Sequence, residues 1–109
     1  MFGSFFSKKE NDLDGKTFRQ KFEETDNAEL IDVRTSAEFA SGTIKGAKNM
    51  DLTSADFQSK VQKLDGQKTY FLFCRSGNRS GSAASLFEKL GLKSYNLVGG
   101  IGAWPTSSI

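Results

Sequence analysis

A chain of 109 residues is long enough for one domain with one hydrophobic core, burying roughly two-thirds of its unfolded surface, and no second domain is expected. Its 15 basic and 13 acidic residues nearly cancel, and a net charge of +2 provides no general field for nucleic acid or a membrane. One cysteine excludes an internal disulfide, a C-x-x-C redox pair and a cysteine-rich metal site, while the lack of histidine removes cysteine–histidine proteases, imidazole general acid–base catalysis and the usual zinc sites, so no metal or cofactor is expected.

Residues 1–12 read as a flexible leader and residues 13–109 as the domain. The apolar part of Met1-Phe2-Gly3-Ser4-Phe5-Phe6-Ser7-Lys8-Lys9 is too short and interrupted to span a membrane, and its lysines follow the apolar part, opposite to a secretory signal. Membrane contact through it is not expected. A lone thiol and no export signal suit the cytoplasm.

From Asp14, a capping residue, Phe18 and Phe22 at i and i+4 predict a short amphipathic helix ending near Glu24. Ala28-Glu29-Leu30-Ile31-Asp32-Val33-Arg34 reads as a strand that is apolar until its polar end. Thr35-Ser36-Ala37-Glu38 is a T-x-x-E capping box, which starts a one- or two-turn helix stopping near Gly42. A loop with a brief extended piece around Lys48-Asn49-Met50 follows, then a helix expected to be capped by Ser54, with Phe57, Val61 and Leu64 on one face and Asp65-Gly66 at its end. Thr69 to Phe73 is a strand whose continuous hydrophobicity requires burial on both faces. Ala83, Leu86, Phe87 and Leu90 fit one face of a helix over Ser80–Leu90 that Gly91 closes. Lys93 to Val98 makes the last strand, and Gly99-Gly100 turns the chain into Ile101-Gly102-Ala103-Trp104, a segment read as chain reversal and core packing. Strands alternating with helices imply a parallel sheet covered on both faces, with ligands beyond the strand carboxyl ends, where Asp32, Arg34 and Cys74 fall.

The chemistry concentrates where the strand Tyr70-Phe71-Leu72-Phe73 stops at Cys74 and turns into Arg75-Ser76-Gly77-Asn78-Arg79-Ser80. A loop between a strand end and a helix start gathers unpaired N–H groups at the positive end of the helix dipole. An ordinary thiol near pKa ~8.5 is only about 3% thiolate at pH 7, and lowering it by about two units takes ~2.7 kcal/mol. A helix terminus contributes ~0.3–1 kcal/mol when exposed and up to ~2 when partly buried, so Arg75, Arg79 or direct N–H contacts must add the rest. Cys74 is therefore expected to be a nucleophilic thiolate. Gly77 lets the backbone curl inward, and Ser76, Asn78 and Ser80 are candidates to brace the loop or cap the helix. Asp32 and Arg34, two apart on one strand face, read as a structural ion pair beside the site.

These residues resemble a known family, the rhodanese-like domains. Asp32-Val33-Arg34, Glu38-Phe39, Gly42-Thr43-Ile44-Lys45-Gly46-Ala47-Lys48-Asn49, Cys74 to Ser80, and Leu97-Val98-Gly99-Gly100-Ile101-Gly102-Ala103-Trp104 match its signatures in order and spacing, covering Leu13 to Trp104. Each is weak alone, and together around a cysteine loop they are specific. One departure is Thr43, where the family's G-H-I pattern usually has histidine; the position reads as a structural part of the loop. The resemblance implies an α/β rhodanese-like three-layer fold, a mostly parallel central sheet with helices on both faces. It also implies a thiosulfate sulfurtransferase in which Cys74 carries a persulfide between half-reactions. Arg75, Ser76, Gly77, Asn78, Arg79 and Ser80 would bind substrate. The partners would be a small-molecule sulfur donor and a thiol or cyanide acceptor, and a protein acceptor is compatible with the same chemistry.

Two other readings compete. Cysteine-dependent phosphatases use C-x5-R, a cradle wide enough for phosphate, whereas Cys74 and Arg79 form C-x4-R, which suits a smaller cradle around sulfur. The other is a non-enzymatic module, a persulfide carrier, redox sensor or partner-binding domain, since a fold does not guarantee turnover.

Overall fold

A computed structural model describes residues 10–106 of the chain, and the expected leader lies outside them except for its last residues. Among the described residues, five strands and four helices follow in order: β1 (Asp12–Leu13), α1 (Gly15–Glu24), β2 (Ala28–Asp32), α2 (Ser36–Ala40), β3 (Lys48–Asn49), α3 (Phe57–Gln62), β4 (Thr69–Phe73), α4 (Asn78–Lys89) and β5 (Lys93–Leu97), then a 3-10 turn at Ile101–Ala103. The sheet order is β1-β5-β4-β2-β3, and each neighbouring pair is parallel. This is the α/β architecture that the alternation of elements predicts.

Two-residue periodicity divides the core. Tyr70, Leu72 and Cys74 point with Ile31 and Val33 to the face covered by α3 and α4, where Phe57, Val61, Ala83 and Phe87 close the layer. Phe71 and Phe73 point with Leu30 and Leu97 to the other face, against Phe18 of α1. All five β4 residues are buried, because β4 lies between β2 and β5 with helices above and below.

The local signals for α1 and α2 act as their chemistry requires. Asp14 accepts from the Thr17 N–H at 2.8 Å, and the Thr35/Glu38 box is reciprocal. Three expectations change. The sheet begins inside the expected leader: Asp12 pairs with Asn96, and the Asn11 carbonyl accepts from the Asn96 N–H at 2.8 Å, so the chain before α1 adds to the otherwise open edge of β5 at its carboxyl end. Helix α3 starts at Phe57 after Asp56, and Ser54 instead forms a turn before it, its carbonyl accepting from the Phe57 N–H and its hydroxyl bonded to the Asp56 carboxylate. Helix α4 starts at Asn78, so it takes in Arg79 and Ser80.

Candidate active site

The register of β2 against β4 pairs Asp32 with Phe73, so Val33-Arg34 and Cys74 leave the sheet side by side at its carboxyl edge. The Val33 N–H still donates to the Phe73 carbonyl at 3.0 Å, which holds the two exits together. Period two places the Cys74 side chain on the face where α4 begins, beneath the first turn of that helix.

There the sulfur takes the position of a helix cap. Gly77 is the N-cap of α4 and has no side chain to offer, with a φ of 98° that a side chain would strain. In its place the Ser80 N–H, the donor that a capping side chain would satisfy, donates to Cys74 Sγ at 3.3 Å. The Gly77 N–H donates to the same sulfur at 3.0 Å, and the Ser80 hydroxyl lies 3.3 Å from it. Burial pushes the Cys74 thiol up, but the Ser80 hydroxyl and the N–H groups of Ser80, Gly77 and Ser76 pull it down and prevail, leaving it below its ordinary value.

The donors that lower the thiol are thus neutral, whereas the sequence pointed also to guanidinium charge. Arg79 is turned aside: its Nη1 and Nη2 donate to Glu38 Oε1 and Oε2 at 2.9 and 3.1 Å. That pair, together with the Thr35 N–H, holds the Glu38 carboxyl down at about 2. Arg75 is exposed and has no hydrogen bond or ion pair among the described residues. Asn78 is exposed too, and the Ser76 hydroxyl only accepts from its N–H at 3.5 Å, so of the three polar side chains expected to brace or cap, that of Ser80 alone reaches the sulfur. Cys74 itself has no exposed surface, whereas Arg75, Ser76 and Asn78 of the same loop are exposed.

The Asp32–Arg34 pair is structural. Arg34 Nε and Nη2 clasp the carboxylate at 3.0 and 2.7 Å, and Nη2 reaches on to the Gly42 carbonyl at 2.7 Å. Thr43, the residue in place of histidine, donates its hydroxyl to Asp32 Oδ2 at 2.9 Å and so joins this brace.

Three residues carry site geometry that sequence reasoning missed. Glu38 was legible as half of a capping box and as part of the Glu38-Phe39 signature, and neither reading pointed to its anchoring of Arg79. Asn96 on β5 contacts Ser80 from behind the loop. Gly100 presses the backbone turn onto the cysteine loop: a Cβ there would lie 2.0 Å from the Arg75 carbonyl oxygen, and the next residue, Ile101, donates its N–H to the Cys74 carbonyl at 2.8 Å. The Gly-Gly pair was the available signal, since invasive backbone contact needs a missing side chain. Beside the loop a cavity of about 360 Å³ is lined by Asp12, Gly77, Asn78, Ser85 and Asn96 among others, but not by Cys74 or either arginine. Among the described residues, no cluster of cysteine and acidic side chains could hold a metal, and no helix is long and apolar enough to cross a membrane.

Comparison with known proteins agrees with this fold. The family model described as the rhodanese-like domain matches residues 14–107. A Bacillus subtilis protein, YtwF, named provisionally as a sulfurtransferase, is 36% identical over 86 residues, which cover 79% of this chain and 82% of that protein. A protein of Allochromatium vinosum named sulfurtransferase is 30% identical over 95 residues, 86% of this chain and 87% of that one. Among solved structures, a rhodanese-like domain protein from Staphylococcus aureus superposes with a TM-score of 0.75 at 25% identity, covering 87% of this chain and 91% of its own. A rhodanese-related protein from Thermoplasma volcanium gives 0.74 at 26% identity, with 86% and 89% covered.

Proposed function

Since the chain belongs to the rhodanese-like domain family, we propose that it is a sulfurtransferase that loads a sulfane sulfur onto Cys74 from thiosulfate or a related donor and passes it to cyanide or a thiol. The observation that carries this reading is the convergence of the Gly77 and Ser80 N–H groups on one sulfur whose ionised form they favour.

In the first half-reaction the Cys74 thiolate attacks the outer sulfur of thiosulfate, an S–S bond forms to Sγ, and sulfite leaves with the electron pair of the cleaved bond. The terminal persulfide sulfur is an anion, and the N–H groups at the start of α4 are donors for it. In the second half-reaction the acceptor attacks that terminal sulfur and Cys74 departs as thiolate. No proton must be shuttled, which fits a chain without histidine. Because Cys74 is covered, loading requires the exposed loop to part above it. Arg75 then meets the donor's oxygens at the surface, and Arg79 adds charge from its place on Glu38. The acceptor is a small thiophile or an exposed protein thiol, and the compartment that suits the reduced cysteine is the cytoplasm.

Mass spectrometry of the protein after thiosulfate tests this. The expected result is a gain of one sulfur atom, removed by cyanide or dithiothreitol and lost in Cys74→Ala. A wild-type protein that gains no sulfur from thiosulfate overturns the proposal. A persulfide that forms but does not turn over with cyanide assigns the chain to sulfur carriage instead.

A further inference from the structure

Behind the cysteine loop, a chain of polar side chains runs from the sheet edge to the sulfur. Ser80 is fully buried, and its single hydroxyl proton has three acceptors in reach: Cys74 Sγ at 3.3 Å, the Gly77 carbonyl at 3.3 Å, and Asn96 Oδ1, the nearest of the three. Asn96 is itself buried on β5, and its Nδ2 donates to Asp12 Oδ1 of β1 at 3.0 Å and to the Gly77 carbonyl at 3.4 Å. Both amide hydrogens are therefore committed to oxygens. Turning the amide over would set Oδ1 against a carboxylate and a carbonyl, neither with a proton to give, so Oδ1 must face Ser80. Asn96 and the sulfur thus compete for one proton.

We propose that Asn96 is a positioning residue of the sulfur site: pinned by Asp12 and the Gly77 carbonyl, it holds the Ser80 hydroxyl proton while Cys74 is protonated or sulfur-loaded, and yields it when the thiolate forms. This rests on the reading of Cys74 as a working thiolate. In the thiol state the S–H donates to the Ser80 oxygen while the hydroxyl donates to Asn96. On ionisation the hydroxyl rotates and donates to the sulfur, which leaves Asn96 Oδ1 without that bond. Once a second sulfur is attached, Sγ is neutral and the hydroxyl returns to Asn96. The residue thus opposes the thiolate relative to the protonated and the loaded states.

The charged groups around this site are Arg75 in the loop, Arg79 of α4 held by Glu38 of α2, the Asp32–Arg34 pair at the end of β2, Asp12 of β1, and Glu88 of α4 in the cavity that Asn96 and Asp12 line. None of them bonds the sulfur, so the competition runs through Ser80.

The test is a pH titration of thiolate ultraviolet absorbance, taken as the difference from Cys74→Ala, in the full chain and with no sulfur donor present. Asn96→Leu should move the midpoint to lower pH and raise the thiolate-to-thiol ratio at pH 7 roughly fivefold, and Ser80→Ala should move it the other way. The double variant should titrate like Ser80→Ala alone. Asp12→Ala, a change at the exposed edge strand, should act like a weaker Asn96→Leu and decides the matter if that variant does not fold. An unmoved midpoint in these variants, or the same shift with and without Ser80, overturns the proposal; the latter would mean simple removal of a charge or of packing. Because the titration needs no donor, it separates this inference from the proposed reaction: the shifts can appear in a protein that thiosulfate fails to load, and the reverse.

Discussion

Glu38 shows how one residue can carry two structural jobs. Its carboxylate completes the capping box of α2 and clasps Arg79 of α4, and the two contacts, that to Arg79 the larger, hold its carboxyl at about 2, against an ordinary 4.5. A depressed carboxyl contributes stability that is fully present above the unfolded value and lost as the pH falls through the folded one. Glu38→Gln keeps a side chain able to complete the box while removing the charge. Its urea midpoint should therefore lie below that of the wild type at pH 6, with the gap closing between pH 4.5 and about 2. A gap unchanged at pH 2 would assign the effect to the cap alone. The box was readable from T-x-x-E because capping is local, whereas nothing in the spacing of Glu38 and Arg79 announced their meeting.

The decisive element is the strand–loop–helix unit β4–α4, together with the glycine turn that supports it. The apolar run ending in Cys74 and the helical spacing after it made the unit legible, down to the sulfur lying at a helix start. Its missing cap explains why: Gly77 leaves a donor free and the sulfur accepts it. Gly100 presses its backbone onto the cysteine loop, with φ at 78° and no room for a Cβ beside the Arg75 carbonyl. Gly100→Ala should cost about 1–3 kcal/mol in urea unfolding and reduce sulfur loading, because the cysteine loop must shift to admit the methyl group. Gly66→Ala, where nothing lies within 4 Å of the added carbon, is the control and should be near neutral. Equal behaviour of the two variants would remove the bracing role from the turn. The sequence read the Gly-Gly pair only as chain reversal, since which backbone it approaches depends on where β5 ends relative to the loop.

In the whole molecule the site stands on a sheet that is buried from both sides. Phe71 anchors the face away from the sulfur, with ring centroids 5.4 Å from Phe18, 5.4 Å from Phe22 and 5.3 Å from Tyr95. Phe71→Ala should destabilise the fold by about 3–5 kcal/mol, a large share of the ~5–15 kcal/mol of a typical domain, and do so without touching the cysteine loop. Urea unfolding measures the loss, and a cost below about 1 kcal/mol would mean that this layer repacks freely. Hydrophobic periodicity, capping residues and the switch from apolar strand to polar loop are local properties of the chain, so the sequence alone determined the alternating α/β architecture and the position of the one thiol at a helix start. The partners of Arg79 and Asn96 lie 41 and 84 residues away. Such contacts exist only after the parallel strands have set their order, and for that reason the tertiary structure alone decided that Arg79 would turn to Glu38, that β1 would close the sheet edge, and that Asn96 would stand behind Ser80.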